Sequence, residues 1–418
     1  MKIKTYKIYT LGCKVNQYDS ADLKKRLNKI GFEERKNFVD LAIVNTCAVT
    51  KTAIRKNSRM FNLAKKENPK AKIIVMGCWS EIDDKILIKN QADLIWGVGN
   101  YKELIKRVKR FFPELKEKNK LLDNIVSTGK SRYFLKIQDG CEQFCSYCII
   151  PFTRGKLKSR QSREIITEAG FAVKNGFREI ILSGIHLGLY GREKDFKEKI
   201  NLVELIKKLL KINNLERIRL SSIEVTEVTD ELINLMRDNK KICKHLHIPL
   251  QNGSDKILKL MNRPYKRAYF QKKAEKLRKY MPDIALSTDV IVGFSGETKK
   301  DFQDTYNFVK KIKFSRLHVF PFSAHEKTKA FNFPNHLDSS VIKERAKKLR
   351  ELGRELEKEY RKKFIGRDLA VIVEFKNGEY YISKTEYYFD IKFKDVDIVD
   401  FCGNKDGDLV KKKIVVKF

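Results

Sequence analysis

The chain has 418 residues, a length that predicts two or three domains. Hydrophobic residues make up 42% and charged residues 34%, which excludes a disordered tail and allows buried cores. Lys and Arg number 89 against 53 Asp and Glu, giving a formal charge of +36. This excess favours a polyanionic partner such as nucleic acid, although a Lys-rich proteome would produce the same excess.

Two further patterns exclude a membrane protein. No apolar run approaches the ~20 residues that a membrane span needs. The first residues, MKIKTYKIYTLGC, alternate like a strand and lack the apolar block of a signal peptide. The sequence therefore predicts a soluble, cytoplasmic chain without membrane contact.

The first part of the chain, residues 1–125, is predicted to be an α/β domain. Strand-like segments alternate with amphipathic ones, which is typical of a parallel sheet covered by helices. The strand-like segments are KIKTYKIYTLG, VDLAIVNT, AKIIVMG and ADLIWGVG. The first helix is expected in SADLKKRLNKIG and a basic one over Lys51–Lys66. The polar stretch 114–132 is predicted to be a linker.

Residues 130–360 are predicted to form a second α/β domain. Six strand-like segments with amphipathic segments between them favour a full or partial (βα) barrel, whose chemistry lies at the carboxyl ends of the strands. A long charged helix over Ser340–Lys363 closes this domain. The strand-like segments are YFLKIQDG, REIILSGI, RIRLSSIE, KHLHIPLQ, ALSTDVIVGF and RLHVFPFS.

Residues 364–418 have a different character. Short strands with Gly-containing turns predict a small all-β barrel. This segment carries as many basic as acidic residues, so the positive charge of the chain lies elsewhere.

Three cysteines follow successive predicted strands of the first domain. Cys13, Cys47 and Cys78 stand in YTLGC, IVNTC and VMGC. Since the carboxyl ends of parallel strands face one crevice, these thiols can converge. Three thiols without a fourth suit an iron–sulfur cluster with one open iron better than structural zinc, which takes four ligands. The alternative is three small core residues, because free Cys is often buried.

A second set of cysteines is closely spaced. Cys141, Cys145 and Cys148 form Cys-x3-Cys-x2-Cys directly after a predicted strand. One loop of this spacing can bind three irons of a [4Fe–4S] cluster and leave the fourth for a substrate. Zinc is less favoured, because no further Cys or His follows at zinc-finger spacing. Cys243 and Cys402 have no such partner and are predicted to be core residues.

This loop, with Tyr147 before its third Cys, resembles that of radical S-adenosylmethionine (SAM) enzymes. The resemblance implies that a [4Fe–4S] cluster on these thiols donates an electron to SAM and yields a 5′-deoxyadenosyl radical. It also implies the barrel that the strand pattern predicts.

The combination of both cysteine sets with a C-terminal β-barrel resembles the methylthiotransferases over essentially the whole chain. The first motif, TLGCKVNQYDS, is similar to the branch that acts on threonylcarbamoyladenosine in tRNA. The isopentenyladenosine branch typically has Gln-Met after this Cys and the branch that modifies a ribosomal protein has Pro-Lys, whereas this chain has Lys14-Val15. Other matching segments are NTCAVT, GCEQFCSYCIIPFTRG, LSGIHLGLYG, LSSIE, HIPLQNGSDKILKLMNRPY and DVIVGFSGET.

The resemblance implies two [4Fe–4S] clusters and SAM as cofactors. The cluster on the closely spaced cysteines would cleave SAM, and an auxiliary cluster on Cys13, Cys47 and Cys78 would carry the sulfur. The methylthio group would go to C2 of the modified adenosine 3′ of the anticodon. The implied partners are tRNA, a sulfur donor and a reductant such as flavodoxin or ferredoxin.

Several barrel residues are candidates for contact with SAM. Ser183, Glu224 and Gln251 end predicted strands, where polar groups suit the amino, carboxylate and ribose groups of the cofactor, although each can equally be a strand-end cap. Gly293, with Gly296, would let the backbone approach adenine, and a tight turn is the equal alternative. His186 and His247 also end strands and are predicted to be buried and hydrogen-bonded.

Three segments are candidates for RNA contact. TRGKLKSRQSR (153–163) has five basic residues and no acidic one, and Lys51–Lys66 has six and none. Both suit phosphate binding, and solvated faces are the alternative. The C-terminal barrel resembles the RNA-binding TRAM module, in which Tyr387, Tyr388 and Phe389 would offer base-stacking rings. These rings begin the predicted strand YYFDIKF, and alternation along it would bury at least one of them. The loop HVFPFSAHEKTKA (318–330) departs from the Pro/Arg/Gly-rich loop usual in the family.

Two alternative functions remain open from the sequence. One is a methylthiotransferase for isopentenyladenosine or for a ribosomal protein, which the Lys14-Val15 pair and the charge disfavour. The other is an iron–sulfur protein that binds tRNA without radical chemistry. The intact Cys-x3-Cys-x2-Cys loop disfavours that reading.

Overall fold

The structure is a computed structural model that describes residues 3–82, 92–117, 126, 131–394, 398–401 and 413–417. The chain forms two compact units. The first comprises Met1–Gly129, Asp139–Gln143 and Cys148–Lys156. The second comprises Lys130–Gln138, Phe144–Tyr147 and Leu157–Phe418, so the second cysteine loop contributes residues to both units.

The first unit is built on one parallel sheet of five strands in the order β2-β1-β3-β4-β5. This agrees with the predicted α/β alternation. The strands are β1 (Thr5–Thr10), β2 (Glu33–Glu34), β3 (Leu41–Thr46), β4 (Lys72–Gly77) and β5 (Leu94–Ile95). The helices are α1 (Lys14–Lys29), α2 (Lys51–Glu67), α3 (Tyr101–Phe111) and α4 (Ile150–Arg154).

Strand β3 shows why this sheet is covered on both faces. Every residue of LAIVNT is buried. Leu41 and Ile43 belong to one apolar cluster, whereas Ala42 and Val44 belong to the cluster on the other face. A continuous apolar run of this kind is characteristic of a parallel strand with helices on both sides.

Helix α1 begins earlier than the sequence predicts. The expected start was Ser20, but the helix begins at Lys14 with Cys13 in the N-cap position. Val15 and Tyr18 are buried and extend the apolar stripe of the helix towards its N-terminus. Cys13 therefore lies between the end of β1 and the first turn of α1.

The second unit contains the six predicted strands of the barrel, all parallel to their neighbours. They form two three-stranded sheets, β10-β9-β6 and β11-β12-β13, which the parallel bridges Ile218–Ile242 and Ser222–His247 connect. Strands from Tyr133 onward are β6 (Tyr133–Lys136), β7 (Gln138–Asp139), β8 (Lys158–Ser159), β9 (Glu179–Ser183), β10 (Arg217–Leu220), β11 (His245–His247), β12 (Ala285–Val292) and β13 (Arg316–Pro321). This arrangement confirms the predicted partial barrel.

Helices fill the connections of this barrel. They are α5 (Ser162–Lys174), α6 (Leu202–Leu209), α7 (Asp230–Asp238), α8 (Asp255–Leu260), α9 (Arg267–Tyr280), α10 (Lys299–Ile312) and α11 (Ser339–Lys362). Short 3-10 helices cover Leu187–Leu189, Val225–Glu227 and Lys329–Asn332. Helix α11 is the long charged helix that the sequence predicts. No helix in the described part of the chain is both long and apolar enough to cross a membrane.

The C-terminal segment is an antiparallel sheet in the order β16-β15-β14-β18-β17, as expected for a small all-β unit. The segment Tyr387–Phe389, predicted to begin a strand, is a turn in which Tyr388 has a φ of 70°. Cys402 lies outside the described residues. The strands are β14 (Asp368–Asn377), β15 (Tyr380–Thr385), β16 (Asp390–Phe393), β17 (Ile398–Phe401) and β18 (Lys413–Lys417).

Buried charges join this sheet to the barrel strands within the second unit. Arg219 is almost fully buried and donates hydrogen bonds to the main-chain oxygens of Thr385 and Glu386. The same guanidinium donates through Nε to Glu179, at 2.7 Å. The turn that follows β15 is therefore fixed by a charged side chain of β10.

Candidate functional site

The structure places Cys13, Cys47 and Cys78 just beyond the carboxyl ends of three adjacent strands. Strands β1 and β3 remain in register to the pair Thr10–Asn45, and β3 and β4 to the pair Thr46–Gly77. The three cysteines follow these ends and all lie in the first unit. The parallel sheet therefore delivers them to a common edge, as the sequence predicts.

Two observations indicate that the loops carrying these cysteines meet. Gly12 has a φ of +102°, and a Cβ at this position would lie 3.1 Å from the Cβ of Cys47. Burial raises the pKa of Cys47 to about 11; the N–H of Val49 opposes this rise, and the charges of Cys78 and Cys13 add to it. The loop before Cys13 thus contacts the loop that carries Cys47.

Two asparagines, which the sequence analysis missed, hold these loops. The side chain of Asn16 donates to the main-chain oxygens of Leu11, at 2.9 Å, and Thr46, at 2.8 Å. Asn57 of α2 makes a two-way contact with Cys47, accepting from its N–H at 3.1 Å and donating to its oxygen at 2.7 Å. Asn16 stands inside the quoted motif TLGCKVNQYDS, so its position was visible but its role was not.

Arg154, at the end of α4, is a buried cation of this site. Its side chain is only 1% exposed. Nη1 donates to both carboxylate oxygens of Asp139, at 2.9 Å each, and Nη2 donates to Asn16 at 2.5 Å and to Asp19 at 3.2 Å. The charge of Arg154 lowers the pKa of the Cys78 thiol against the dominant effect of burial, which raises it. A cation therefore lies near the cysteines.

The residues at this edge fit an iron–sulfur cluster. The seven cysteines that the structure describes form no disulfide, and Cys13, Cys47 and Cys78 offer three thiols on rigid strand ends. Thiolates are the ligands that such clusters take, and burial with polar contacts is the environment that tunes them.

The second cysteine loop is also fixed by internal contacts. In the first unit, the N–H of Cys141 donates to the oxygen of Gly155 at 3.0 Å. In the second unit, Nη1 of Arg263 lies 3.2 Å from Sγ of Cys145, and Nη2 of the same arginine pairs with Glu224. Burial raises the pKa of Glu224, and the charge of Arg263 opposes that rise. Sequence reasoning missed Arg263, although it stands in the quoted segment HIPLQNGSDKILKLMNRPY.

Of the candidate SAM contacts, Ser183 ends β9 and Gly293 directly follows β12, whereas Glu224 and Gln251 lie four residues beyond the ends of β10 and β11. Ser183 is fully buried at the end of β9, and its hydroxyl donates to the oxygen of Ile181 at 3.4 Å. Gln251 has a φ of 64°, and its N–H donates to the oxygen of Asp289 at 2.8 Å. Gly293, with a φ of 75°, donates its N–H to Glu297.

Tyr147 is partly buried and packs against the apolar cluster that contains Phe294. His186 is buried, as expected, and its Nε2 lies 2.5 Å from Glu227. The roles of the candidate SAM contacts remain predictions.

A polar trio on β11, β12 and β13 was not foreseen as a unit. Nε2 of His247 and Nδ1 of His318 each lie 3.1 Å from Oδ1 of Asp289, and the two rings stack at 5.4 Å. Ser287 contacts the other nitrogen of His247 at 3.0 Å. Hydrogen bonds from both imidazoles hold the pKa of Asp289 well below its ordinary value, against burial, which raises it. The signal available in the sequence was only the position of each residue on a predicted strand.

The basic segment 153–163 is only partly available for phosphate contact. Arg154 is buried, and Arg160 is half-buried and pairs with Glu168 at 2.8 Å. Lys156, Lys158 and Arg163 are exposed. Helix α2 presents more positive charge to solvent, with its exposed cations at Arg55, Lys56, Arg59 and Lys66.

The predicted base-stacking rings of the C-terminal sheet are engaged within the second unit. Phe389 is 6% exposed and offers no face to a base, in agreement with the expectation that at least one ring of this run is buried. Tyr388 stacks on His245 with ring centroids 4.5 Å apart, and Tyr387 contacts Phe364 at the same centroid distance. The two tyrosine rings therefore pack the turn against Phe364 and His245. The segment is a turn and does not present the open face that a strand would have.

Comparison with known proteins agrees with this geometry. Residues 135–309 match the model of the Radical SAM superfamily, and residues 5–97 match that of the uncharacterized protein family UPF0004. The chain is 36% identical to the threonylcarbamoyladenosine tRNA methylthiotransferase MtaB of Bacillus subtilis (strain 168), over 98% of this chain and 94% of the relative. It is 35% identical to the MtaB protein of Aquifex aeolicus (strain VF5), over 92% and 95% of the two chains.

A relative from another branch is similar as well. The tRNA-2-methylthio-N(6)-dimethylallyladenosine synthase of Thermoanaerobacter sp. (strain X514) is 35% identical over 88% of this chain and 82% of its own. The two branches therefore differ little in overall identity to this chain.

Among solved structures, the radical SAM methyltransferase TsrM of Kitasatospora setae has a TM-score of 0.57 at 12% identity, covering 77% of this chain and 75% of its own. The cobalamin-dependent SAM radical enzyme OxsB has a TM-score of 0.52 at 12% identity, covering 82% and 56%. At this identity the two structures support the fold alone. The sequence relatives confirm the predicted resemblance, and the chain belongs to the methylthiotransferase family of radical SAM enzymes.

Proposed function

We propose that this enzyme adds a methylthio group to C2 of N6-threonylcarbamoyladenosine next to the tRNA anticodon, giving 2-methylthio-N6-threonylcarbamoyladenosine. The observation that carries the proposal is the pairing of two cysteine sets in one chain. One set converges at the ends of β1, β3 and β4, and the other stands in the Cys-x3-Cys-x2-Cys loop. The relatives named MtaB, similar over most of their length, support the threonylcarbamoyl substrate.

The radical SAM family implies SAM and one [4Fe–4S] cluster, which Cys141, Cys145 and Cys148 would hold. Cys13, Cys47 and Cys78 would hold a second. When bound, the first cluster supplies the electron for the reductive cleavage of SAM and the second supplies the sulfur that is transferred. The protein supplies position: Arg263 and Glu224 fix Cys145, and Asn16 and Asn57 fix the loops of the other set.

Each part of the chain receives a role in this proposal. Residues 1–125 would form the methylthiotransferase domain with the auxiliary cluster, residues 130–360 the radical SAM barrel, and residues 364–418 a TRAM-like module for tRNA. The exposed cations of α2 follow Cys47 directly and would bind phosphates near the reacting base. The reaction would use a flavodoxin- or ferredoxin-like reductant and a sulfur donor, in the cytoplasm where tRNA is modified.

One observation supports isopentenyladenosine as a second candidate substrate. The dimethylallyladenosine synthase of Thermoanaerobacter sp. is nearly as similar in identity as the MtaB relatives. The Lys14-Val15 pair after Cys13 differs from the Gln-Met that is typical of the isopentenyladenosine branch, and for this reason the threonylcarbamoyl substrate is preferred.

Mass spectrometry of tRNA nucleosides tests the proposal. Cells that lack the gene are compared with the same cells carrying the wild-type gene or the Cys47→Ala gene. We expect 2-methylthio-N6-threonylcarbamoyladenosine to disappear, and to return only with the wild-type gene. Loss of 2-methylthio-isopentenyladenosine in its place would assign the second substrate, and no change in either nucleoside would exclude both.

A further inference from the structure

Arg154 has a position that neither a phosphate-binding loop nor ordinary helix capping explains. In the sequence it stands at the start of the basic segment 153–163 that follows the second cysteine loop, and a cation in such a segment is expected to be exposed to solvent. Its side chain is instead 1% exposed and its contacts lie within the first unit. A guanidinium is rarely buried to this extent unless its donors have fixed partners.

Four of its five N–H donors are accounted for. Asp139 takes two from Nη1, and Asn16 and Asp19 take those of Nη2. The fifth, on Nε, is buried and has no hydrogen-bond partner among the described residues. Native proteins seldom leave a buried donor unpaired, so such a group indicates a missing acceptor.

The surroundings show what kind of acceptor is missing. Asn16 links Arg154 to the loops that carry the cysteines, because it accepts from Nη2 of Arg154 and donates to the main-chain oxygen of Thr46, the residue before Cys47. Asn16, which accepts from Arg154, also accepts from Sγ of Cys13 at 3.8 Å. A sulfur acceptor in the space that the thiols share would satisfy the Nε donor.

We infer that Arg154 is a positioning residue for the sulfur-carrying centre, and that its Nε–H donates a hydrogen bond to a cysteinyl or inorganic sulfur of an iron–sulfur cluster on Cys13, Cys47 and Cys78. The inference rests on the proposed function, because it requires that cluster. Hydrogen bonds to cluster sulfurs and nearby positive charge both stabilise the reduced form. Arg154 therefore raises the reduction potential of the auxiliary cluster and orients its sulfur.

The same side chain joins two distant parts of the sequence. Asp139 and Arg154 flank the Cys-x3-Cys-x2-Cys loop, whereas Asn16 and Asp19 belong to α1. The ends of one cysteine loop are thus held against the helix that follows Cys13.

The test uses the full chain in which Cys141, Cys145 and Cys148 are replaced by Ala, so that only the auxiliary cluster can form. The protein is labelled with 15N-arginine, reconstituted anaerobically with iron and sulfide, reduced, and examined by pulsed electron paramagnetic resonance. A 15N coupling to the reduced cluster is expected, and Arg154→Lys should remove it. A reduced cluster without any arginine 15N coupling would overturn the inference without requiring an Arg154 variant.

A redox titration gives a second readout. At a fixed potential, Arg154→Met should shift the ratio of reduced to oxidised cluster at least tenfold towards the oxidised form. For a one-electron couple this corresponds to a midpoint potential lower by at least 59 mV. Arg160→Met is the matched control, because Arg160 stands in the same segment but pairs with Glu168. Equal midpoint potentials in Arg154→Met and the control would contradict the assignment. If the chain with the three Ala binds no iron at all, the auxiliary cluster of the proposed function is itself refuted, and the inference with it.

Discussion

Replacing Glu179 by Gln removes the charge on which the contact between the barrel and the C-terminal sheet depends. Glu179 is fully buried in β9, and Arg219 donates to its carboxylate at 2.7 Å. Arg217 lies 3.5 Å from the same carboxylate and Arg132 3.7 Å. Gln keeps the shape of the side chain but leaves three guanidinium groups without their shared anion.

The expected loss of stability follows from the pKa of this carboxyl. The three arginines lower the pKa of Glu179 from 4.5 to about 2, although burial alone would raise it. A shift of this size corresponds to about 3 kcal/mol of stabilisation, at ~1.4 kcal/mol for each pKa unit. Breaking a buried ion pair by removing one partner typically costs about 3–5 kcal/mol, which agrees. We therefore expect the midpoint of thermal unfolding to fall by roughly 6–12 °C.

The assay is thermal unfolding of the full chain at several pH values, followed by circular dichroism. Because the folded-state pKa is depressed, the stabilisation is complete above pH 4.5 and is lost as the pH falls towards 2. The difference between wild type and Glu179→Gln should shrink over that range. Glu231→Gln is the control, since its half-exposed pair with Lys207 contributes at most about 1 kcal/mol. A Glu179→Gln protein as stable as this control at pH 7 would refute the reasoning.

Three further predictions concern the sites. Gly12→Ala places a Cβ 2.8 Å from Nδ2 of Asn16 at a φ of +102°, so iron bound by the first cysteine set should fall several-fold, measured in the chain that lacks the second set. Arg263→Met removes the donor to Cys145, and the anaerobic yield of 5′-deoxyadenosine should fall about tenfold; an unchanged yield would contradict the role of this contact. Arg55→Ala removes one exposed cation of α2, and the salt dependence of tRNA binding should weaken by roughly one counterion in the logarithmic slope, with no change if α2 is only a solvated face.

Hydrophobic pattern and cysteine spacing were sufficient to predict the parallel sheet and the partial barrel. Apolar runs such as LAIVNT have few options other than a buried parallel strand, and their ends place the next residue at the sheet edge. This is why the convergence of Cys13, Cys47 and Cys78 could be anticipated. The start of α1 was missed because the helical stripe begins among polar residues of the motif, where Val15 and Tyr18 are its early members.

Buried polar networks were not predictable from the sequence. Arg154, Arg160 and Arg263 look like the exposed cations around them, and only the fold brings carboxylates against them. The prediction that segment 153–163 binds phosphate included too many residues, because Arg154 and Arg160 are paired with carboxylates. Pairing between residues far apart in sequence has no local pattern, so such contacts need the structure.

The aromatic run Tyr387–Phe389 illustrates a different limit. Alternation suggested a strand with one open face, but Tyr388 takes a positive φ and the run becomes a turn. Its tyrosine rings then pack on Phe364 and His245 and are only partly exposed to solvent. A local pattern cannot distinguish these outcomes, because the turn is stabilised by Arg219 from a distant strand.

The most direct test of the two-site account is one anaerobic reaction in which two products are measured together. Reconstituted protein receives SAM, a reductant and an anticodon stem-loop that carries threonylcarbamoyladenosine, and 5′-deoxyadenosine and the methylthiolated nucleoside are quantified. Wild type should form both, Cys148→Ala neither, and Cys47→Ala only 5′-deoxyadenosine. Methylthiolated product from Cys47→Ala would contradict the central claim that the cysteines at the ends of β1, β3 and β4 carry the transferred sulfur.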